Sequence, residues 1–369
     1  MAPGPTPVPE DVLLAMANPI IHHRTPVFEK IFAEVQTQLK WLYQTKNDVL
    51  LFASSGSGAM EASLVNTLCR GNHILVVNGG KFGERFAKIA KVYGIVVDEI
   101  KVKWGEAVSV QDIEKKLKEK DYRAVCVQAS ETSTGVAHPI KAISELVKNY
   151  SNTILIVDAI TALGVVDLPT DKWGIDLMIC GSQKALMLPP GLAAVSVSEK
   201  AWGFVEKSDL PKFYFGFKAE RKALHANTTA WTPAVSLVIG LNHALRRMQG
   251  EGLQNMFLRH EKMASSIREA AKAIGLKLYA KSPSNAVTAI CSPEGISSSK
   301  IVSGLRDRFN ITIADGQDEA KGKIFRIGHL GYYDLLDMVA AWSAVEKQLL
   351  DLGYEFQVGA GIKAMICMM

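Results

Sequence analysis

Between about residue 48 and residue 200 the chain alternates between two hydrophobic patterns. Runs that are largely apolar at consecutive positions ("DVLLFAS", "HILVVNG", "GIVVDEIKV", "RAVCVQAS", "TILIVDAI", "DLMICGSQ" and "LAAVSVS") are separated by stretches whose apolar residues recur three and four apart ("GAMEASLVNTLC", "ERFAKIAKVYG", "SVQDIEKKLKEK" and "IKAISELVKNY"). A strand with one wet face alternates apolar and polar positions. A strand that is apolar throughout is covered on both faces, as in a mostly parallel sheet flanked by helices. The pattern predicts a doubly wound α/β domain with helices on both faces of the sheet. A long amphipathic helix near 253–275, "LQNMFLRHEKMASSIREAAKAIG", marks a domain boundary. After it, the weaker strands "VTAICSP" and "KIFRIGH" and the helices "SKIVSGLRDRF" and "LLDMVAAWSAVEKQLLDLG" predict a smaller α+β domain. The expected division is an N-terminal segment over 1–20 packing with the small domain, a large domain over 21–252 and a small domain over 253–369. The proline-rich start, "MAPGPTPVPE", is expected to be extended and packed on the surface.

Composition narrows the classes. A chain of 369 residues that is 48% apolar builds a sizeable core. The net charge of +5 is spread out, with no lysine or arginine run interleaved with aromatics, so nucleic acid is not an expected partner. The five cysteines, Cys69, Cys126, Cys180, Cys291 and Cys367, form no CxxC pair. Cys69, Cys126 and Cys180 read as reduced core residues, which predicts a reducing compartment, the cytoplasm, and neither a metal site nor disulfides. Neither a signal peptide nor an apolar run of about 18 residues is visible, so no membrane span is expected.

In open α/β sheets ligands sit beyond the carboxyl ends of the strands, and the residues there are distinctive. "SSGSGAMEAS" places Ser55, Gly56 and Ser57 in a turn opening a helix, where free N–H groups and the helix dipole suit an anion, although such turns also cap helices without a ligand. It is neither a GxxxxGK[ST] nor a complete GxGxxG motif. Phe82 follows the next strand, as a stacking platform or as a core aromatic. "ETSTGVAHP" clusters Glu131, Thr132, Ser133 and Thr134, as ring contacts or as an ordinary turn. Asp158 ends a strongly apolar strand, where a carboxylate is costly unless paired or capping a turn. Lys184 follows the strand in "DLMICGSQ" and has no charged neighbour from Gly181 to Gly191. An anion cradle, a flat aromatic, a strand-end carboxylate and a desolvated lysine are the parts that pyridoxal phosphate requires.

Together with "PGPTPVP", "NGGKFGERF", "VDAIT", "GSQKAL", "TTAWTPAVSL" and "FRIGHLG", these motifs make the sequence resemble, over nearly its whole length, the class V, fold-type I pyridoxal-phosphate aminotransferases of the alanine–glyoxylate and serine–pyruvate group. The resemblance implies a mostly parallel seven-stranded sheet and transfer of an amino group from alanine or serine to glyoxylate or pyruvate with ping-pong kinetics. It implies that Lys184 is the Schiff-base lysine and proton shuttle. Asp158 then pairs with the pyridinium nitrogen, Ile160 lies under the ring, Phe82 stacks on it and Thr132 bonds its hydroxyl. Ser55, Gly56, Ser57 and Gln183 hold the phosphate. Thr229 and Thr232 reach the phosphate of the neighbouring subunit, so a homodimer with shared sites is implied. Trp231 stands where the family often has tyrosine, which leaves open which threonine makes the main contact. Arg326 matches the arginine that grips the substrate carboxylate. Two alternatives share the fold. A phosphonate-specific aminotransferase needs extra cations, for which His22, His23 and Arg24 stand near the N-terminus. A cysteine desulfurase or selenocysteine lyase needs a nucleophilic cysteine, for which Cys291 is the candidate. A chain serving interaction alone has no reason to keep Lys184, Asp158 and Arg326 together.

Overall fold

The computed structural model describes residues 1–368; Met369, the last residue of the expected small domain, lies outside the described residues. Twelve strands form: β1 (Asp48–Phe52), β2 (His73–Asn78), β3 (Val96–Lys101), β4 (Ala124–Gln128), β5 (Ser130–Glu131), β6 (Val136–Ala137), β7 (Ile154–Asp158), β8 (Leu177–Gly181), β9 (Ala193–Val197), β10 (Val287–Cys291), β11 (Ala314–Asp315) and β12 (Ile324–Gly328). Seven make one sheet in the order β1-β9-β8-β7-β4-β2-β3. Every pairing in it is parallel except those of β9, which runs against both β1 and β8. The fold is therefore the expected α/β arrangement, with a mostly parallel seven-stranded sheet and a smaller C-terminal unit.

The consecutive apolar positions divide between the two faces as their period requires. Leu155 and Val157 of β7, with Val125 and Val127 of β4, enter one core layer. Ile154 and Ile156, with Ala124 and Cys126, enter the other. Each fully buried valine, leucine or isoleucine among them contributes about 1.5–3 kcal/mol. Only β9 is reversed, so the carboxyl ends of the other six strands share one edge. The chain runs from β2 outward to β3 and returns to β4 beside β2. This reversal opens the crevice that open α/β sheets use for ligands.

Helix starts divide into two kinds. Some starts remote from this edge are capped by their own sequence: Thr25 and Pro26 start the helix Pro26–Tyr43, and Asp334 with Asp337 forms a capping box on Leu335–Asp351. The two that point at the edge, Gly56–Thr67 and Lys81–Val92, have no side-chain cap from the residue before them. Their first N–H groups are left for other partners.

The helices Val235–Glu251 and Leu253–Ala273 meet at Gly252, whose φ of 81° suits glycine. Beyond it, β12 is the centre of a three-stranded antiparallel sheet, order β10-β12-β11. Phe325 and Ile327 turn into a core with Trp342 and Val345. Arg326 takes the opposite face, opposite Ala289 and Ala314, whose small side chains leave room for a guanidinium. The β5–β6 hairpin joins the two units: Ser284 N–H donates to Gly135 O at 2.8 Å, and Ser130 Oγ lies 2.7 Å from Ser284 Oγ.

Two expectations need correction. The first residues do not simply lie on the surface: Pro5 and Pro7 are exposed, but the segment is anchored through other positions. Pro3, Thr6 and Pro9 are buried, Gly328 N–H donates to Met1 O at 2.7 Å, and Thr6 N–H donates to Gln183 O at 3.1 Å. The prolines stiffen a strap that passes over the sheet edge. Cys69 is not a core residue; it is half-exposed just after the helix Gly56–Thr67, where the polar loop beginning at Arg70 lifts it out of the apolar layer.

Three buried histidines are held neutral. His260 Nδ1 lies 2.7 Å from Met256 O, and its Nε2 accepts from Gly331 N–H at 3.1 Å. His329 Nδ1 lies 3.0 Å from Asn285 O, and its Nε2 lies 2.8 Å from Thr288 Oγ1. Burial lowers their pKa values to about 3 and that of His138 to about 4. Because these values lie below the unfolded value near 6.5, the unfolded chain binds more protons between about pH 6.5 and pH 3. The histidines therefore contribute stability that is complete above about pH 6.5 and is lost as pH falls through that window, at about 1.4 kcal/mol per pH unit for each group. His329→Asn should be less stable than the parent at pH 7 but lose less on acidification. Urea denaturation of both proteins at pH 7 and pH 5 checks this, and parallel pH slopes would refute it.

Candidate active site

The residues at the shared edge are brought together from both units. Lys184 leaves β8 two residues after Ser182, whose Oγ donates to Pro189 O at 2.7 Å and fixes the turn that follows. The Lys184 amine is largely buried and donates to Pro3 O in the N-terminal strap. Gly4 has to be glycine there: its φ is +126°, and an added Cβ would lie 2.5 Å from Nζ. Burial lowers the Lys184 pKa to about 8, against the opposing pull of Asp158 and with help from the charges of Arg326 and Arg85. An amine so placed is a base and nucleophile near neutral pH.

Asp158 ends β7 and is 4% exposed. One carboxylate oxygen accepts from Ile160 N–H at 2.9 Å. The other has no protein hydrogen bond among the described residues. Burial raises its pKa to about 7, with the Ile160 bond opposing. The turn-capping role and the site-facing role thus fall to different oxygens. Ile160 packs over the opening of the helix Gly56–Thr67; a Cβ on Gly56 would come within 2.3 Å of its side chain. The N–H groups of Gly56 and Ser57 begin that helix with no intrahelical acceptor. Nearby, Gln183 Oε1 is buried with no partner.

Phe82 lies at the second position of the helix Lys81–Val92. The cap this helix lacks locally is supplied by Glu131, which is fully buried and accepts from Phe82 N–H and Gly83 N–H, both at 3.1 Å. Its other oxygen accepts from Ser133 N–H at 3.1 Å and from Ser133 Oγ. Burial pushes the Glu131 carboxyl up, and these four bonds oppose that shift. Thr132 Oγ1 lies 3.0 Å from Thr161 Oγ1, which itself donates to Ser130 O at 3.2 Å. With the Thr161 proton committed, Thr132 donates to Thr161 and keeps lone pairs free to accept.

Arg326 is 6% exposed and makes no ion pair among the described residues. Nε and Nη2 donate to Asp315 O at 3.1 and 2.7 Å, and Nη1 donates to Thr132 O at 2.8 Å. Three of the five guanidinium N–H groups are thereby held by carbonyls, and two remain. A buried cation held by neutral groups is a strong attractor for a carboxylate.

The expected residues Lys184, Asp158, Ile160, Ser55, Gly56, Ser57, Gln183, Phe82, Thr132 and Arg326 thus come together. Thr229 and Thr232 do not join them through any hydrogen bond among the described residues. They line a separate small cavity with Phe52, Glu220 and Trp231, and Thr229 Oγ1 donates to Trp231 O at 2.6 Å. Three participants were not singled out from sequence. Arg85 lies three residues after Phe82 and so on the same helix face, which was a usable signal. Glu131 was noted only as part of a polar turn. Pro3 and Gly4 entered only within the motif "PGPTPVP", and nothing local marked their contact with Lys184. Cys291 has none of the environment of an activated thiol: burial pushes it up, with Lys277 opposing.

The unsatisfied groups fit pyridoxal phosphate. The open N–H pair suits a phosphate, the free Asp158 oxygen a ring N–H, the Thr132 lone pairs a ring hydroxyl, and the low-pKa amine an aldehyde. Comparison with known proteins agrees. The family Aminotransferase class-V matches residues 2–330. A protein of Synechococcus sp. named "Soluble hydrogenase, small subunit" is 45% identical over 99% of this chain and 96% of its own. An L-aspartate–glyoxylate aminotransferase of Paracoccus denitrificans is 36% identical over 98% of this chain and 93% of its own. The crystal structure of ureidoglycine–glyoxylate aminotransferase from Bacillus subtilis superposes with a TM-score of 0.95, at 28% identity, covering 100% of this chain and 97% of that one.

The coupling of Lys184 to Asp158 is testable in cofactor-free protein. Above about pH 7 the Asp158 carboxylate stabilises the Lys184 ammonium, so Asp158→Asn should move the amine's midpoint below its parent value of about 8. Mass-spectrometric quantification of reductive methylation at Lys184 against pH measures this; a parent midpoint near 10.5 would refute it. The chain is a pyridoxal-phosphate-dependent aminotransferase of class V.

Proposed function

We propose that this enzyme transfers the amino group of alanine or serine to glyoxylate or pyruvate. The observation carrying this reading is the buried, unpaired Arg326 guanidinium facing the same space as the low-pKa Lys184 amine and the free Asp158 oxygen. Bound pyridoxal phosphate supplies an aldehyde that takes up amino groups and an electron-withdrawing ring. Lys184 would anchor the group and then, as a neutral amine, take the proton from the substrate's Cα and deliver it to the cofactor, the reverse transfer serving the second substrate. Asp158 holds a proton on the ring nitrogen, Thr132 accepts from the ring hydroxyl, and Phe82 and Ile160 hold the two ring faces. Ser55, Gly56, Ser57 and Gln183 hold the phosphate. Arg326 binds the substrate carboxylate through its two remaining N–H groups. The first product leaves before the second substrate enters, giving ping-pong kinetics.

On this reading the strap over 1–20 and the unit over 253–369 close on the cofactor-holding unit over 21–252. The loop carrying Thr229 and Thr232 reaches the partner's phosphate in a homodimer. Support for the dimer comes from the aromatic surface beside it: Phe213 is 77% exposed and stacks on Trp231 at 4.7 Å. Glyoxylate appears in the names of two of the proteins compared. An aspartate donor would call for a second cation. In this subunit the other cation bearing on Lys184 is Arg85, which stands at the Ser57 end of the site, beside the anion cradle. A small uncharged donor side chain fits better.

Borohydride treatment of the loaded enzyme should fix the cofactor to the Lys184 peptide, and labelling of another lysine would overturn the assignment. A panel of alanine, serine and aspartate against glyoxylate and pyruvate tests the substrates; a preference for aspartate would refute the proposed donor. Arg326→Lys should lower kcat/KM for the amino acid roughly tenfold to hundredfold, about 1.5–3 kcal/mol, because the charge stays but the fork is lost. The corresponding amine without a carboxylate should lose little. Equal losses on both substrates would mean that Arg326 supports the fold instead.

A further inference from the structure

The residues assigned above to the phosphate (Ser55, Gly56, Ser57 and Gln183, with Thr229 and Thr232 from a partner) include no cation. A phosphate monoester carries about 1.5 to 2 negative charges at neutral pH. Backbone N–H groups and hydroxyls alone would leave that charge uncompensated in a largely buried place. One side chain at the cradle answers to it. Arg85 lies at the start of the second turn of the helix Lys81–Val92, with its guanidinium carbon 4.8 Å from the centre of the Phe82 ring. Its Nη1 donates to Ser57 Oγ at 3.0 Å. It is half-buried, and no acidic side chain forms a salt bridge with it among the described residues.

The direction of the Arg85–Ser57 bond matters. An arginine only donates, so Ser57 Oγ is the acceptor. The hydroxyl hydrogen of Ser57 has no acceptor among the described residues and is free to point outward. Beside it stand the open N–H groups of Gly56 and Ser57 and the positive end of the helix Gly56–Thr67. The guanidinium has four further N–H groups. Arg85 thus combines three things at one corner of the site: a positive charge, a serine turned into a donor, and a flat backing for the Phe82 ring. Its charge also reaches the reacting groups, lowering the proton affinity of both Asp158 and Lys184. A phosphate bound at the cradle would offset that influence.

We propose that Arg85 is the cation of the phosphate cradle, neutralising the cofactor's phosphate and orienting the Ser57 hydroxyl toward it. This inference rests on the cofactor-dependent reading of the site. A purely structural arginine, packed on Phe82 for shape, is the competing explanation. The two differ in whether the phosphate matters.

The test compares pyridoxal phosphate with pyridoxal, which has the ring and aldehyde but no phosphate. Both are titrated into cofactor-free full-length protein, with binding followed by the visible absorption change and by calorimetry. Arg85→Gln should weaken pyridoxal phosphate roughly tenfold to hundredfold, the loss of a charge-assisted contact, while changing pyridoxal by less than about threefold. Arg85→Lys keeps the charge and should fall between parent and Arg85→Gln. Inorganic phosphate, titrated calorimetrically, should bind more weakly to Arg85→Gln than to the parent. If Arg85→Gln does not fold by circular dichroism, Arg85→Lys against Ser57→Ala carries the comparison: both should lose selectively for the phosphorylated ligand. Equal losses for the two ligands, or an unchanged affinity for pyridoxal phosphate, would overturn the proposal. A parent protein that binds neither ligand would overturn the functional reading itself. A parent that binds both, with no phosphate-selective effect of Arg85, would leave that reading standing and remove this inference alone.

Discussion

Ionisable groups resist removal from water, and the edge of this sheet removes four of them together: Glu131, Asp158, Lys184 and Arg326. Two carry negative charge when ionised and two carry positive charge. Isolated, each would favour its neutral form. Set close together, each raises or lowers the others. Asp158 holds protons on Lys184 while Arg326 drives them off, and Glu131 raises the proton affinity of Asp158. The amine near 8 and the carboxyl near 7 are set first by burial, which these neighbouring charges then adjust.

The scaffold exists to hold that cluster against its own desolvation. Parallel strands deliver Asp158 and Lys184 side by side, and the outward-and-back path from β2 through β3 to β4 opens space beside them. The β5–β6 hairpin is where the two units negotiate position, because it presents the Thr132 carbonyl to Arg326 and the Glu131 carboxylate to the Phe82 helix. A displacement of this hairpin would be felt at once by the ring platform and by the carboxylate clamp. The difference between capped and uncapped helix starts follows the same logic. At Thr25 and Asp334 the helix's own sequence closes its end. At Gly56 and Lys81 the end is left for tertiary partners.

Much of this was legible in the chain. Consecutive apolar runs have one common explanation, two covered faces, and all seven became strands of the large sheet. Lys184 and Asp158 were legible because a charge at the end of an apolar strand is costly and so calls for a reason. Arg326 was legible by resemblance, and the cross-strand alanines that make room for it became visible only with the register. What stayed hidden was long-range. The strap from Met1 to Thr6 reads as surface because nothing local says that a glycine will pass within contact of a lysine 180 positions away. Glu131 reads as a turn residue because its partners, Phe82 and Gly83, are capped across the fold. Cys69 was misplaced because an apolar neighbourhood in sequence ends, in space, at the last turn of its helix. Thr229 and Thr232, read by resemblance as phosphate contacts, make no hydrogen bond to the site within this chain.

The carbonyl oxygens of Asp315 and Thr132 have a consequence for how the enzyme meets its substrate. A free arginine forfeits rotational freedom of up to about 2 kcal/mol when it is immobilised. Arg326 has lost that freedom at folding, since three of its donors are tied to backbone that belongs to β11 and to the turn after β5. On the proposed reading of Arg326, an arriving carboxylate meets a plane already set, with no ordering left to perform. The same rigidity makes the clamp intolerant: an acid whose carboxylate cannot lie in that plane gains the charge attraction without the paired bonds. Selection at this site is therefore by shape as much as by charge, and it is decided by main-chain atoms that no side-chain substitution at Asp315 or Thr132 would delete.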